Sequence, residues 1–409
     1  MRPQSPTRLP PGFNRLAWSN LSAQSAEQIG LAAAPLVAVL ALGAGAGETG
    51  LLQTAATLPF LLMAIPTGLL ADRYSRRNLM AAAESVRVLS LLAILALLYF
   101  DLLTWPLLAI LGFLGATGTV AYGVAAPALV PTLVPPDALA AANARIELAR
   151  TVAFTAGPAL AGTLVGWAGA APAFALAAAL SIWATLLLAG LREPPRPPQP
   201  KRHPLQDLRV GARFMATHAL LLPVFATQFV FNMAFFILLA VYVPYAVDAL
   251  RLSASEIGMT LATYGIGMIV GALLTGRVLR VLRFGTVIAL GPIAGAVAAL
   301  IMLATMWLPS PLVAGLSFFL LGVGPIVWVI STTTLRQSVT PQDLLGRISA
   351  INILAYGARP IGAGIGAFVG SQLGLEACLF AAAAAFAIQA GIILMSPVVR
   401  LERQPEFVK

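Results

Sequence analysis

The sequence carries very little charge for its length. Only 10% of the 409 residues are charged, whereas 59% are hydrophobic. A soluble domain normally has roughly 25% charged residues, because its surface must be polar. The scarcity of charge therefore excludes an ordinary soluble protein and indicates that lipid forms part of the solvent.

The residues that most catalytic and metal sites need are also scarce. Cys378 is the single cysteine, so no internal disulfide can form. The two histidines, His203 and His218, both lie in one polar stretch, which argues against a haem or zinc site. Neither lysine, Lys201 nor Lys409, ends the glycine-rich motif of a phosphate-binding loop, so an ATP-driven pump is excluded. We therefore expect no enzyme activity and no cofactor.

Long apolar runs make up most of the chain. The segments 220–247 and 284–308 contain no formal charge, and each exceeds the length of about 20 residues that a helix needs to cross a bilayer. Helix is the expected conformation, because lipid offers no hydrogen-bond partner to the backbone. The sequence predicts an all-α membrane protein with twelve transmembrane helices. The predicted spans are 13–42, 49–70, 79–99, 105–130, 144–168, 171–191, 220–247, 255–279, 284–308, 311–335, 348–373 and 375–398.

Basic residues are concentrated in alternate loops. One set of connections holds most of the arginines, whereas the other set holds Arg251 beside several acids. By the positive-inside rule, this asymmetry predicts an even number of spans with both termini in the cytoplasm. The net charge of +10 is then explained by topology, so nucleic acid is not an expected partner. We expect a multi-pass protein of the bacterial inner or plasma membrane.

A proline-rich, charged stretch divides the chain near its middle. It predicts an extended linker over 192–219, between a six-helix bundle at 1–191 and a second one at 220–409. The two predicted bundles share motifs at equivalent positions. The matching pairs are Gly157-Pro158 with Arg359-Pro360, and Gln24 and Gln28 with Gln228 and Asn232. Such repeats are typical of transporters, in which the solute binds between the repeats near the middle of the membrane.

The loop between the second and third predicted spans carries a family signature. It reads Gly68-Leu-Leu-Ala-Asp72-Arg73-Tyr-Ser-Arg76-Arg77. This closely resembles the G-x-L-a-D-R-x-G-R-K signature of the major facilitator superfamily, from which Ser75 and Arg77 depart. The fifth span holds Gly157, Pro158 and Gly162, which resemble the G-P-x-x-G-G signature of exporters in that family.

The whole layout is similar to the twelve-span efflux branch that includes enterobactin-type siderophore exporters and macrolide exporters. This resemblance implies the major facilitator fold, in which two pseudo-symmetric six-helix bundles face each other. It also implies that the signature loop, with Arg347, acts as a conformational latch. On physical grounds, Asp72 can accept hydrogen bonds from the amides that begin the eleventh span, near Arg347. The alternative is a plain anchor that fixes the topology.

An acid in the first span is a candidate for proton coupling. Glu27 lies near the middle of the membrane, and Asn20, Gln24 and Glu27 share one helical face by their spacing. Such a face must point into the bundle or a cavity. Desolvation there favours the neutral carboxyl, so Glu27 is a candidate protonation switch. The alternative is an acid locked by hydrogen bonds to neighbouring spans.

Two further acids stand one turn before an arginine. Glu84 and Arg87 lie in the third span, and Glu147 and Arg150 in the fifth. The spacing of three residues allows each pair to neutralise itself locally. Each pair is therefore either structural or a proton relay.

One intramembrane arginine has no acid within the spans of its own half. Arg359 shares a helical face with Tyr356, and its partner must be Glu27 or Glu147, backbone carbonyls, water or an anionic substrate. Together with Asn20, Gln24, Gln228 and Asn232, these residues form the predicted substrate site.

The leading hypothesis is a monomeric, proton-coupled antiporter that exports a small amphipathic or anionic molecule, such as a drug or siderophore. The proton is its coupling ion, and the lipid bilayer and the solute are its partners. Two alternatives stay open, namely an importer of the same fold and a membrane receptor or scaffold that transports nothing.

Overall fold

The structure, a computed structural model, describes residues 10–135, 138–193, 204–341 and 344–405. All regular structure in these ranges is helical. The helices are α1 (Pro11–Leu40), α2 (Ala46–Leu62), α3 (Ala64–Arg73), α4 (Arg76–Tyr99), α5 (Trp105–Leu133), α6 (Leu139–Ala168), α7 (Ala170–Ala189), α8 (Pro204–Thr217), α9 (Leu221–Asp248), α10 (Ala254–Val281), α11 (Phe284–Ala304), α12 (Pro311–Val339), α13 (Leu345–Leu354), α14 (Ala358–Gln372) and α15 (Leu375–Leu394).

Eleven segments of the described chain are long and apolar enough to cross a membrane by themselves. The twelfth crossing is the second predicted span, which the structure divides into α2 and α3 at Met63. Pro66, in the first turn of α3, explains the break, because proline has no N–H to donate to the carbonyl of Leu62. The prediction of an all-α membrane protein with twelve transmembrane helices is confirmed.

The eleventh crossing is also interrupted. A short 3₁₀ segment, Ala355–Gly357, separates α13 from α14. Pro360 follows it and removes one more backbone hydrogen bond from this region. The interruption places Tyr356 and Arg359 at a joint in the middle of the crossing, rather than on a regular helical surface.

Part of the predicted linker folds into a helix. α8 packs along α13, and Gly211 lies so close to the backbone of Arg347 that an added Cβ would be 3.1 Å from it. Residues 194–203 of the predicted linker lie outside the described residues. The domain boundaries at 191 and 220 stay a prediction.

The bundle has two ends, which we call the linker end and the distal end. The linker end holds the α3–α4 loop and helix α8, and the distal end holds the α1–α2 and α6–α7 loops. The helices of the first half meet those of the second along two seams, where α2 packs on α14 and α6 packs on α10. Glycines allow the close approach near the distal end, where Gly50 faces Ala367 and Gly162 faces Gly258.

The α6–α10 seam opens toward the linker end. Thr155 and Gly265 make the last close glycine contact in that direction. Two turns further along α6, Leu148 is 62% exposed, and the Glu147 side chain is 54% exposed. The two halves are therefore packed together at the distal end and separate along this seam toward the linker end.

Candidate functional site

A cavity of about 300 Å³ lies between the two halves of the bundle. Helices α1, α2, α4, α5, α6 and α7 form one wall, whereas α9, α10, α12 and α14 form the other. The lining is mostly apolar and aromatic. Four charged side chains line it among the described residues, namely Glu27, Arg87, Arg150 and Arg359. A concave apolar site with a few charged groups is the usual form of a small-molecule site.

Arg87, on the wall of the cavity, interacts with two carboxylates. Arg87 Nη1 donates to Glu84 Oε1 at 2.6 Å, and Arg87 Nη2 lies 3.9 Å from Glu27 Oε2. Arg87 also donates to Thr119 Oγ1 at 2.6 Å, and the hydroxyl of Ser181 donates to Glu84 at 3.0 Å. Glu84 is fully buried. The shorter contact therefore holds Arg87 to Glu84, while Glu27 lies at the edge of this network and faces the cavity.

The arginine of the opposite wall is held by aromatic rings. The guanidinium of Arg359 lies 4.3 Å from the ring centre of Tyr356, 4.7 Å from that of Phe60 and 5.4 Å from that of Phe236. Its Nε donates to Asn232 Oδ1 at 3.0 Å. No carboxylate of the described residues lies within ion-pair distance of Arg359. The rings and the amide stabilise and orient the cation but leave its charge uncompensated.

The second predicted acid–base pair is more exposed. Arg150 hydrogen-bonds to both carboxylate oxygens of Glu147, through its Nε at 3.0 and 3.1 Å. Its guanidinium also lies 5.5 Å from the ring centre of Phe154. Arg150 lines the cavity, whereas Glu147 is not among the lining residues that the structure describes. The pair is internally neutral.

The amides predicted to bind substrate are not all at the cavity. Asn20 is buried and donates at 3.4 Å to a backbone carbonyl of α6, and Gln228 donates at 3.5 Å to a carbonyl of α13. Gln24 is half-buried and outside the described lining. Asn232 lines the cavity, and so does Gln28 in α1. The role of each residue stays a prediction.

Several residues that line the cavity were not predicted from the sequence. α2 contributes Gln53 and Thr57, which stand one turn apart in an apolar helix, and this spacing was a usable signal. The carbonyl oxygen of the Gln53 side chain is buried and has no hydrogen-bond partner among the described residues. The aromatic lining gave no such signal, because most of the spans contain phenylalanine. It includes Phe60, Phe154, Phe174, Phe231, Phe235, Phe236 and Tyr264.

The residues of the exporter-like signature lie in helix contacts. A Cβ added at Gly157 would be 3.2 Å from the backbone of Gln28 in α1, and one added at Gly162 would be 2.7 Å from Gly258 in α10. The carbonyl of Pro158 also lies against Gly258. The signature therefore joins α6 to α1 on one face and to the other half on the opposite face.

The basic residues of the first-loop signature bind within their own half. Arg77 Nη1 donates to the carbonyl of Leu191 at 3.0 Å, and Arg76 donates to the carbonyl of Ala128. Glu193 accepts from the hydroxyl of Ser75 at 2.6 Å. It also accepts from the backbone amides of Arg76 at 3.3 Å and Arg77 at 3.1 Å, at the start of α4.

Glu193 was not among the predicted site residues. Arg73 is exposed, and Gly68 has open space where a Cβ would stand. The side chain of Asp72 lies outside the described residues, so the predicted latch to Arg347 stays a prediction.

Comparison with known proteins agrees with this architecture. A family model described as Major Facilitator Superfamily matches residues 16–363. The enterobactin exporter EntS of Shigella boydii is 31% identical over 316 residues, which cover 74% of this chain and 73% of the relative. EntS of Escherichia coli is 30% identical over the same length.

Solved structures share the fold at low identity. A bacterial homologue of the human lysosomal transporter Spinster gives a TM-score of 0.71 at 16% identity, covering 95% of this chain and 96% of that one. A bacterial homologue of the iron transporter ferroportin gives a TM-score of 0.71 at 16% identity, covering 94% and 98%. The predicted fold of two six-helix bundles is therefore confirmed.

Proposed function

The chain belongs to the major facilitator superfamily, and on this basis we propose that it exports a small amphipathic or anionic molecule in exchange for protons. That it is a membrane transporter follows from the family and the fold. Export, the chemistry of the solute and the coupling to protons are the proposal. The observation that carries it is the cavity between the halves, to which both halves contribute charged side chains from their membrane-crossing helices.

The proposed direction rests on the curated relatives. The EntS proteins of Shigella and Escherichia are named as exporters of enterobactin, a siderophore. By similarity, we propose that this chain resides in a bacterial inner membrane and exports a siderophore or a drug-like compound. By the positive-inside rule, the basic residues at the linker end support a cytoplasmic position for that end and for both termini. The α6–α10 seam then opens toward the cytoplasm.

The proposed coupling group is Glu27. An exchanger requires that the proton and the solute exclude each other at the site, because each must cross in a separate step. Glu27 meets this requirement for a solute with a positive or hydrogen-bond-donating group, since that group and the proton compete for one carboxylate. Arg87 cannot neutralise Glu27 fully, because Glu84 holds it at the shorter distance of 2.6 Å.

Everted membrane vesicles test this function. Their lumen is made acidic, and a panel of enterobactin, erythromycin and ethidium is added outside. An exchanger concentrates its solute in the lumen as protons leave, whereas an importer that carries solute and proton together does not. Glu27→Gln removes the coupling in this account, and Glu376→Gln, an exposed acid at the start of α15, is the matched control. Panel compounds that fail to accumulate in wild-type vesicles above protein-free vesicles would contradict export.

A further inference from the structure

The charges of the cavity do not balance within each half of the molecule. On the first half, Glu27 and Glu84 share the single cation of Arg87, which leaves one negative charge. Glu147 and Arg150 cancel each other. On the second half, Arg359 is the only charged residue that the described lining contains, and it leaves one positive charge. The cavity is therefore a dipole, with its negative pole on α1 and its positive pole on α14.

The two poles are not joined to each other. Among the described residues, no ion pair connects Glu27 with Arg359, although each side chain contributes to the electrostatic environment of the other. Two opposite charges that face one apolar cavity without contact leave a gap for a ligand. The gap is costly while it is empty, because a charge in such surroundings needs a counter-charge or polar partners.

The positive pole has the features of a built site. Tyr356, Phe60 and Phe236 surround the guanidinium, and Asn232 fixes its Nε at 3.0 Å. These contacts leave the terminal Nη groups without a hydrogen-bond partner in the part of the chain that the structure describes. Arginine binds carboxylates through these groups, in a planar and often two-pronged geometry.

The first half contributes a second acceptor to the lining of the cavity. The side-chain oxygen of Gln53 lines the same cavity, is buried and accepts no hydrogen bond from a described residue. A buried acceptor without a donor is unusual in a folded protein. An ammonium group has three donors and no acceptor, so carboxylate and amide oxygens are both suitable partners for it.

We propose that the cavity binds a zwitterionic aromatic molecule, with its carboxylate on Arg359, its ammonium on Glu27 and its ring among the phenylalanine side chains. This inference rests on the proposed function and names the solute class for it. It also explains why the solute and the proton would be exchanged and not carried together, because the ammonium and the proton compete for Glu27. An aromatic acid without an amine has no such competition.

Charged groups on three other helices surround Glu27. α4 presents Arg87 and Glu84, α6 presents Arg150, and α14 presents Arg359 from the opposite wall. Arg87 and Arg150 each have their own carboxylate, so Glu27 is the acid whose charge the ligand can complement. Protonation of Glu27 removes the negative pole and leaves the positive one.

Binding of four related indoles to the purified full-length protein in nanodiscs tests the inference. The probes are L-tryptophan, 3-indolepropionate, tryptamine and 3-ethylindole, which differ only in the two charged groups. Calorimetric titration at pH 7.5 should give tryptophan an affinity at least about tenfold above that of each analogue, because each charged contact contributes a separate factor.

Variants of Glu27 and Arg359 test which charged group of the ligand binds at each pole. Glu27→Gln should make tryptophan and 3-indolepropionate bind equally, whereas Arg359→Gln should make tryptophan and tryptamine bind equally. Glu27→Asp and Arg359→Lys keep the charges and should keep part of the preference, and thermal unfolding of each variant checks that it is folded. Glu376→Gln and Arg277→Gln, which remove exposed charges away from the cavity, are the controls and should bind as the wild type does.

Two results would overturn the inference. One is a wild-type affinity for tryptophan no higher than for the three analogues, including no measurable binding of any probe. The other is a tryptophan preference that survives both Glu27→Gln and Arg359→Gln. The proposed function fails separately, if the preference is present but no probe or panel compound crosses the membrane.

Discussion

Glu27 and Arg87 face each other at 3.9 Å, while Arg87 is already held by Glu84 at 2.6 Å. One guanidinium thus stands between two carboxylates at unequal distances. Coulomb attraction weakens with distance, so the nearer acid takes the larger share of the cation. Glu84 is in this sense structural, and Glu27 is the member of the pair that remains available to a proton or a ligand.

The two glutamate–arginine pairs of the first half should differ in their contribution to stability. Glu84→Ala leaves the buried Arg87 with only the distant Glu27 as a counter-charge, and we expect a loss on the order of 3 kcal/mol in the free energy of unfolding. Glu147→Ala breaks an exposed pair, and we expect a loss below about 1 kcal/mol. Thermal unfolding in detergent compares the two variants directly. Equal losses would show that burial does not distinguish the pairs.

A carboxylate placed beside Arg359 should compete with an acidic ligand. Asn232 Oδ1 accepts from Arg359 Nε at 3.0 Å, so Asn232→Asp puts a charged oxygen at that distance. We expect the affinity for 3-indolepropionate to fall at least about tenfold, while tryptamine binding stays within a factor of two to three. Asn232→Leu, which adds no charge, is the control for the lost amide. An acid affinity that Asn232→Asp leaves unchanged would place the carboxylate of the ligand elsewhere.

Closure of the distal end should depend on the glycine contact between α6 and α10. A side chain at Gly162 meets Gly258 and its surroundings, so Gly162→Leu should hold this end apart. Spin labels at Trp167→Cys and Met259→Cys, two exposed positions near the distal end, report the separation in a variant whose Cys378 is replaced by alanine. We expect the mean distance to increase by several ångströms, since a leucine side chain must be accommodated.

Gly391→Leu is the matched control for the distal end. Gly391 lies in α15 and has no atom within 4 Å of an added Cβ. The label distance should therefore stay at its wild-type value. An unchanged distance in Gly162→Leu, with the protein folded, would show that this contact does not control the distal end.

The carboxylate of Glu193 should slow hydrogen exchange of the backbone amides at the start of α4. It accepts from the amides of Arg76 and Arg77, and hydrogen bonds to a charged group contribute about 1.5–3 kcal/mol. Glu193→Gln should therefore speed hydrogen–deuterium exchange of the Arg77 amide about tenfold or more. Exchange in α15 serves as the internal control. An exchange rate that does not change would show that the start of α4 does not depend on this acid.

The sequence predicted the crossings because their length and hydrophobicity are set by the bilayer, which does not depend on how the helices pack. It missed the interruptions near Met63 and Ala355, although Pro66 and Pro360 mark both places. The proline rule gives the position of a possible kink but not whether neighbouring helices hold the chain straight. The ends of the predicted spans differ from the ends of the helices by a few residues, because hydrophobicity does not fix where a helix begins or ends.

The site was predicted in part. Glu27, Arg87, Arg150 and Arg359 were found because an ionisable residue in an apolar span is rare. The spacing put Asn20 and Glu27 on one face, but the structure places α6 over Asn20 and leaves only the deeper part of α1 open to the cavity. Which part of a helical face is covered depends on tertiary packing, so the sequence could not decide it.

The most direct test of proton exchange is the response of the proton gradient itself. Everted vesicles are energised, a pH-sensitive dye reports lumenal acidity, and the panel compounds and L-tryptophan are added one at a time. The account predicts that compounds transported by the wild type release protons from the lumen, and that Glu27→Gln vesicles show no such release. Transport by the wild type that leaves the gradient unchanged, or equal proton release by Glu27→Gln, would contradict it.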